Sequence, residues 1–233
     1  MAFLFDPAVP SLPIAGDERR FAVRRIFCVG RNYAAHAREM GMDPDREPPF
    51  FFMKPADAVV ENGTDVPYPP ATRNLHHEIE LVVAIGKTAR DLAAEEAQAV
   101  VFGYAVGNDL TRRDLQLAMR EKGRPWEVGK AFDMSAPVTA IHPAARIGHP
   151  RRGRIWLAVN GERRQEADLA DLIWSVPEIL MHLSRLFTLK PGDLVFTGTP
   201  AGVGPLLPGD VVEGGVEGVD VLRHRIVAAG ERA

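Results

Sequence analysis

Two glutamates that flank an isoleucine at the start of an apolar run constrain this chain most. Glu78 and Glu80 stand on either side of Ile79, and residues 81–85 are all apolar before Gly86. Because the side chains of a strand alternate between its faces, the two carboxylates lie on one side of a predicted strand and Ile79 on the other. Taken alone, this pattern is also typical of a solvated outer face.

A third carboxylate, Asp109, ends another apolar and glycine-containing run, residues 102–107. Three buried carboxylates repel one another and cost several kcal/mol unless a cation neutralises them. Their oxygen atoms favour a hard divalent ion, Mg²⁺ or Mn²⁺ before Zn²⁺. Asp109 is equally compatible with the N-cap of a helix that begins at Leu110.

Composition excludes several classes of protein. The net charge of −3 gives no basic surplus for binding nucleic acid, and 46% apolar residues in a chain of 233 are ample for a buried core. Cys28 is the single cysteine, so neither an internal disulfide nor a cysteine zinc site is available. No apolar stretch approaches the roughly 18 residues of a membrane span. We therefore expect a cytoplasmic protein without membrane or nucleic-acid partners.

The sequence predicts an N-terminal arm followed by one domain. Three prolines within residues 1–21 favour an extended arm that packs across a surface. No linker or repeat divides residues 22–233. Asn160-Gly161 predicts a β-hairpin, and the capping box from Ser175 to Glu178 predicts a helix to about Phe187.

A histidine and a glutamate lie three residues apart on a predicted helical turn, residues 33–40. His36 and Glu39 would share one face, where the carboxylate can orient the imidazole for general base catalysis. Such a pair is more often an ordinary surface pair. The polar, proline-rich residues 41–49 that follow predict a mobile loop, which is compatible with a lid.

Four further polar residues are candidates for the site. Lys130 lies between apolar neighbours and needs an anionic partner, whereas Lys54 is either a solvated strand end or a charge that points into a site. Arg113 and Gln116 share one face of the helix predicted over residues 110–120 and could grip a carboxylate, although an exposed charged face fits equally.

A glycine-rich loop, residues 197–204, follows a predicted strand near the C-terminus. Its backbone amides could hold a carboxylate or phosphate, and Thr199 could donate its hydroxyl. Most glycine-rich loops are simple turns, and no predicted helix follows this one.

Together these motifs resemble the fumarylacetoacetate hydrolase family, in its small acylpyruvate hydrolase branch. They occur in the order of that family over roughly residues 25–227. The matching segments are Val29-Gly30-Arg31-Asn32-Tyr33 with His36 and Glu39, Met53-Lys54-Pro55, His77-Glu78-Ile79-Glu80-Leu81, Asn108-Asp109-Leu110-Thr111 with Arg113-Asp114 and Gln116, Gly129-Lys130, and Thr197-Gly198-Thr199-Pro200 with Gly202-Val203-Gly204. The N-terminal arm, with Val9-Pro10-Ser11 leading into Arg24-Arg25-Ile26, resembles the fumarylpyruvate hydrolases.

The resemblance implies an α+β, mostly β fold, in which mixed sheets roll into a flattened barrel-like core with peripheral helices. It also implies a homodimer and a single catalytic domain over residues 22–233. Glu78, Glu80 and Asp109 match the ligands of Mg²⁺ or Mn²⁺, and His36 with Glu39 matches a lid pair that activates water. Lys130 matches the active-site lysine, while Arg113, Gln116, Lys54 and Thr199 match residues that contact the substrate or support the site.

The implied activity is metal-dependent hydrolysis of the carbon–carbon bond of an acylpyruvate, a small oxo acid. Fumarylpyruvate, which gives fumarate and pyruvate, is the first candidate, with Arg113 or the glycine-rich loop receiving its distal carboxylate. Oxaloacetate decarboxylation and the isomerisation or decarboxylation of an oxo-diacid are the rival enzymatic activities. A non-catalytic metal or anion-binding protein is the rival outside catalysis. His76 would share the face of Glu78 and Glu80, either as an outer partner of the metal site or merely as a buried residue.

Overall fold

The structure is a computed structural model that describes residues 4–5, 8–39 and 47–230. Strands dominate this part of the chain. In chain order they are β1 (Ser11–Ile14), β2 (Asp17–Ala22), β3 (Arg25–Gly30), β4 (Phe50–Lys54), β5 (Val59–Glu61), β6 (Val66–Pro67), β7 (Leu75–His77), β8 (Ile79–Ile85), β9 (Val101–Asn108), β10 (Thr111–Arg112), β11 (Ala136–Val138), β12 (His142–Pro143), β13 (Arg154–Val159), β14 (Glu162–Asp168), β15 (Asp193–Phe196), β16 (Gly204–Leu206), β17 (Val211–Val216) and β18 (Asp220–Val227).

Short helices lie between the strands. The α-helices are α1 (Ala34–Glu39), α2 (Arg113–Glu121), α3 (Glu127–Lys130), α4 (Ala144–Ile147) and α5 (Val176–Leu186), and 3₁₀ turns cover Ala56–Ala58, Ala94–Val100 and Leu169–Asp171. None of the helices in the described ranges is long and apolar enough to cross a membrane.

A mixed sheet of eight strands forms the centre, in the order β4-β3-β15-β8-β9-β11-β5, with β12 added beside β9. β15 runs parallel to β3, whereas β8 pairs antiparallel with both β15 and β9. All seven residues of β8 are buried, so this strand is covered on both faces. The strand with the two glutamates is therefore not a solvated edge.

The two faces of β8 enter different apolar clusters. Ile79, Leu81, Val83 and Ile85 belong to the larger core cluster. This cluster also includes residues of the five-stranded sheet, whose order is β14-β13-β17-β18-β6. The other face belongs to a smaller cluster that includes Cys28, which is fully buried on β3. Together these features confirm the predicted α+β, mostly β fold.

Residues 11–22 form an antiparallel hairpin, β1–β2, rather than a simple extended segment. Leu12, Ile14 and Phe21 from this hairpin are buried in the smaller cluster. The turn contains Gly16, whose φ of +67° lies in the left-handed region. The division of the chain into an arm over residues 1–21 and a domain over residues 22–233 stays a prediction.

Several local predictions can be compared with these elements. The hairpin at Asn160-Gly161 and the capped helix after Ser175 are confirmed as β13–β14 and α5. The alternative that Asp109 is a helix N-cap is wrong, because α2 begins four residues later at Arg113. The intervening residues form β10, which pairs with β7. Of the predicted loop over residues 41–49, residues 41–46 lie outside the described part of the chain.

Candidate metal centre and active site

Three buried carboxylates converge where β8 begins and β9 ends. One oxygen from each of Glu78, Glu80 and Asp109 can be chosen so that all lie within 4.8 Å of one another. We call these residues the carboxylate cluster. Glu78 stands between β7 and β8, where its backbone N–H donates to Asn108 Oδ1 at 2.8 Å. Asp109 N–H in turn donates to the Glu78 carbonyl at 2.8 Å. These two hydrogen bonds hold the backbone of Glu78 and Asp109 together where β7 ends and β8 begins.

Three buried cations surround two members of the cluster. Lys130 Nζ donates to Glu78 Oε2 and to Asp109 Oδ2, both at 2.7 Å. Arg113 Nη2 donates to Glu78 Oε1. Lys54 Nζ lies 2.8 Å from Asp109 Oδ1 and also donates to the backbone oxygens of Leu110 and Lys130. Each side chain is almost fully buried, so each charge depends on these partners.

Glu80 differs from the other two carboxylates. Its partner is the Gly198 backbone N–H, which donates to Oε2 at 2.6 Å, and no ion pair to Glu80 is found among the described residues. Burial, then the negative charges of Asp109 and Glu78, raise the pKa of Glu80 well above its usual range. An added cation would remove this penalty. The donor set and this uncompensated carboxylate therefore fit a divalent metal ion with oxygen ligands.

Unlike Glu80, the neighbouring groups Glu78 and Lys130 have pKa values shifted in favour of their charged forms. Burial opposes ionisation of Glu78, but the charges of Lys130 and Arg113 outweigh it and hold the pKa of Glu78 well below its usual range. Burial likewise opposes the charged form of Lys130, yet Asp109 and Glu78 raise its pKa. Glu78 and Lys130 are therefore ionised at neutral pH.

His36 and Glu39 form the predicted pair on α1. His36 Nδ1 lies 3.2 Å from Glu39 Oε2, and the imidazole is buried whereas Glu39 is exposed. Glu39 also accepts hydrogen bonds from the Gly202 N–H at 3.0 and 3.1 Å. The glycine-rich loop therefore binds two carboxylates of the protein itself, Glu80 through Gly198 and Glu39 through Gly202.

One cavity brings most of the predicted residues together. It is lined by Val29, Gly30, Arg31, His36, Phe52, Glu78, Glu80, Asp109, Arg113, Gln116, Arg120, Trp126, Lys130 and Thr199. Glu39 and Lys54 do not line it, and each instead contacts a residue that does. Thr199 Oγ1 accepts from Gln165 Nε2 at 2.8 Å, and Gln116 Oε1 accepts from Arg113 Nη1 at 3.0 Å. Arg113 and Gln116 on α2 thus face the site and are buried, so the alternative of an exposed charged helix face is wrong.

His76 is not part of the carboxylate cluster. It is half-buried, with Nε2 at 2.9 Å from Asn74 Oδ1 and Nδ1 accepting from Arg113 Nε at 3.4 Å. Burial and the charge of Arg113 lower its pKa to about 4. His76 is therefore neutral at pH 7, and its hydrogen bond to Arg113 connects it to the site.

Three of the lining residues, Phe52, Arg120 and Trp126, were not predicted from the sequence, and Val29, Gly30 and Arg31 were noted only as part of a family segment. Arg120 carried a usable signal, since it lies seven residues after Arg113 and therefore on the same face of α2. Arg31 follows the end of β3 with a φ of 61°, a left-handed conformation that sequence patterns do not indicate for arginine.

Residues 25–227 match the family described as fumarylacetoacetate (FAA) hydrolase C-terminal. The chain belongs to the fumarylacetoacetate hydrolase family. The resemblance inferred from the motifs is thereby confirmed.

Two kinds of relative are similar to this chain. The crystal structure of a fumarylpyruvate hydrolase from Pseudomonas aeruginosa, in complex with Mn²⁺ and pyruvate, is 57% identical, with a TM-score of 0.96 over 97% of this chain and 100% of that one. The mitochondrial oxaloacetate tautomerase FAHD1 of Homo sapiens is 44% identical over 87% of this chain and 91% of its own length. The oxaloacetate tautomerase YcgM of Escherichia coli (strain K12) is also 44% identical, over 82% and 87%.

Proposed function

We propose that this protein hydrolyses the carbon–carbon bond of an acylpyruvate, with fumarylpyruvate as the first candidate and fumarate and pyruvate as products. The observation that carries the proposal is that His36, backed by Glu39, lines the same cavity as the carboxylate cluster and Lys130. The 57% identity to a fumarylpyruvate hydrolase supports this choice of substrate.

The carboxylate cluster would hold Mg²⁺ or Mn²⁺. Bound there, the ion supplies Lewis acidity to the 2-oxo acid end of the substrate. The cluster suits this role because Glu80 has a buried carboxylate that no cation among the described residues neutralises. Lys54 would act as a positioning residue, since it holds Asp109 from outside the cavity.

His36 would be the general base. Because its Nδ1 faces Glu39, that nitrogen carries the proton and Nε2 is left to accept one from water. The resulting hydroxide attacks the distal carbonyl carbon, and the bond between that carbon and the pyruvate unit breaks. The electron pair moves to the pyruvate unit, which takes up a proton and leaves as pyruvate.

Lys130 would stabilise the negative charge that develops during cleavage. Its ammonium already bridges Glu78 and Asp109, so it is fixed before the substrate arrives. Gln116 and Thr199 line the same cavity, and we propose that they hydrogen-bond the oxo acid.

The direct test follows the loss of the enol absorbance of fumarylpyruvate with purified protein and Mn²⁺, with products identified by chromatography. We expect metal-dependent release of fumarate and pyruvate in equal amounts, and none after EDTA treatment. Intact fumarylpyruvate in the presence of the Mn²⁺-loaded protein would contradict the proposal.

A histidine variant tests the role of the base. His36→Gln should lower kcat by 10²- to 10⁴-fold, the usual contribution of general base catalysis. His142→Gln is the matched control, because His142 pairs with Asp220 away from the cavity. Equal turnover by both variants would remove His36 from the mechanism.

Oxaloacetate tautomerisation is a second candidate, supported by the names of the relatives at 44% identity. It exchanges a proton and breaks no carbon–carbon bond, so the two activities differ in their products. Faster conversion of enol- to keto-oxaloacetate without release of pyruvate from any acylpyruvate would favour it.

We further propose that the protein is a cytoplasmic homodimer.

A further inference from the structure

Arg113 and the glycine-rich loop, the two candidates from the sequence for receiving the distal carboxylate of the substrate, already bind other groups. Arg113 bonds to Glu78 and Gln116. In the glycine-rich loop, the Gly198 and Gly202 amides bond to Glu80 and Glu39. The receiver must therefore lie elsewhere on the cavity wall.

Two other arginines line the cavity beside the carboxylate cluster, Arg31 and Arg120. Neither forms an ion pair with a carboxylate among the described residues. Arg31 Nε is buried and has no hydrogen-bond partner within the described part of the chain. Burial, followed by the charge of Arg120, lowers the pKa of Arg31, and Glu47 only partly offsets the effect. Two guanidinium groups thus repel one another at a place where an anion would relieve both.

The backbone also holds Arg31 in an unusual position. Its φ of 61° is left-handed, a conformation that is unfavourable for a residue other than glycine. Its guanidinium carbon lies 5.2 Å from the centre of the Phe50 ring, and Phe50 packs edge-on against Trp126. Strain of this kind at a cavity wall is typical of functional positions.

The spacing along α2 suits an extended substrate. Arg113 and Arg120 are seven residues apart on one helix face, which places Arg120 about 10 Å farther along the axis. An extended seven-carbon chain spans roughly 7 Å, at about 1.2 Å for each bond. Arg113 bonds to a member of the carboxylate cluster, and the length of such a chain would bring its distal end toward Arg120. Phe52 and Trp126 supply apolar wall to the same cavity.

We propose that Arg31 and Arg120 bind the distal carboxylate of the substrate and so select acylpyruvates whose acyl group ends in a carboxylate. This inference rests on the proposed function, in that the 2-oxo acid end is placed at the carboxylate cluster. It adds a specificity site that the hydrolytic residues do not contain.

The test compares two acids that cannot be cleaved, because neither has the second ketone that hydrolysis requires. 2-Oxopimelate and 2-oxoheptanoate both have seven carbons and a 2-oxo acid end, and only the first has a distal carboxylate. Calorimetric titration of the Mn²⁺-loaded protein should show 10- to 100-fold tighter binding of 2-oxopimelate, the range for hydrogen bonds to a charged group. Arg120→Met should abolish most of this preference and leave the affinity for 2-oxoheptanoate unchanged.

Arg185→Met is the matched control, since Arg185 is exposed on α5 and does not line the cavity. It should keep the full preference. Equal affinity of the wild-type protein for both acids, or no binding of either, would overturn the proposal. So would an equal loss of both affinities in Arg120→Met, which would indicate a structural role.

Kinetics separate this proposal from the proposed function. With fumarylpyruvate, Arg120→Met should raise KM and leave kcat nearly unchanged, because the distal contact is made equally in the ground and transition states. With acetylpyruvate, which has no distal carboxylate, neither constant should change. Failure of the wild-type protein to cleave either substrate would contradict hydrolysis, while the binding preference would still decide the subsite.

Discussion

The three carboxylates of the cluster are chemically unequal because their neighbours differ. Glu78 contacts two cations and Asp109 two, whereas Glu80 accepts from one backbone N–H. In the protein without metal, the negative charge on Glu80 is therefore the costly one. Removing single charges from the cluster should have opposite consequences at different positions.

Glutamine substitutions test this difference. Without metal, Glu78→Gln should lower the free energy of unfolding by roughly 3 kcal/mol, because it leaves buried cations without their partner. Glu80→Gln should not lower the free energy of unfolding, and an increase of about 1 kcal/mol is expected, because the substitution replaces an unfavourable buried charge by an amide. Urea unfolding at pH 7.5 with EDTA measures both values.

Mn²⁺ provides the second half of that experiment. At a concentration 100 times its Kd, the ion should stabilise the wild-type protein by about 2.7 kcal/mol. It should not stabilise Glu80→Gln. Destabilisation of both variants by the same amount without metal would show that Glu80 is as well compensated as Glu78.

Strand alternation predicted a shared face for Glu78 and Glu80, and the resemblance added Asp109, although Glu78 lies in the break between β7 and β8. The sequence could not predict which cations bind which oxygens. Lys54 at the end of β4 was ambiguous, and its burial beside Asp109 depends on how β4 and β9 are placed within one sheet. Pairing between distant strands leaves no local pattern in the chain.

At the scale of elements, the glycine-rich loop connects the metal centre to the histidine pair. Gly198 binds Glu80 of the cluster, and Gly202 binds Glu39 behind His36. The backbone of this loop therefore sets the relative position of both halves of the site. Its role does not require its amides to contact the substrate.

An alanine at Gly202 should disturb this connection. Gly202 has a φ of +92°, and an added Cβ would lie 2.1 Å from the Arg164 carbonyl oxygen. We expect Gly202→Ala to lose on the order of 2 kcal/mol or more of stability and at least 10-fold in kcat, as the loop moves away from Glu39.

Gly161→Ala is the control for backbone strain. Gly161 also has a positive φ, +81°, but nothing lies within 4 Å of an added Cβ. It should lose about 1 kcal/mol of stability and no activity. An unchanged kcat in Gly202→Ala, measured at a temperature where it is folded, would contradict the role of the loop.

Elements defined by local chemistry were predicted better than those defined by packing. The Asn-Gly hairpin and the capping box at Ser175 were correct because turn and cap residues determine them directly. β10 was missed because its two residues become a strand only beside β7.

At the scale of the whole molecule, a buried histidine of the five-stranded sheet connects that sheet to the site by a hydrogen bond. His224 on β18 accepts at Nε2 from Asn108 Nδ2 at 3.0 Å, and Asn108 Oδ1 accepts from the Glu78 N–H. Burial, followed by the charge of His77, lowers the pKa of His224 to about 4. The folded protein therefore keeps this imidazole neutral at a pH where the unfolded chain is protonated.

Stability should consequently fall in acid. Below pH 6.5 the unfolded state binds a proton that folded His224 does not bind until about pH 4, so folding loses free energy across this window. The loss from this residue is roughly 3 kcal/mol, at about 1.4 kcal/mol for each pH unit. Urea unfolding at pH 7, 5.5 and 4.5 measures it.

His224→Gln supplies the comparison, since a glutamine carbonyl can still accept from Asn108. Its decline in acid should be smaller but not absent, because the pKa values of His76 and His77 are also lowered. Parallel declines in the variant and the wild-type protein would exclude His224 as a source.

The single cysteine has a consequence for how the molecule opens. Cys28 is fully buried on β3, between β4 and β15, and burial raises the pKa of its thiol. A thiol reagent can reach Cys28 only when the strands at the centre of the sheet separate. Of these strands, β3 continues into Arg31 and α1, and β15 continues into the glycine-rich loop. The rate at which Cys28 is alkylated therefore measures how often the strands that hold both halves of the site separate. No probe has to be introduced for this measurement.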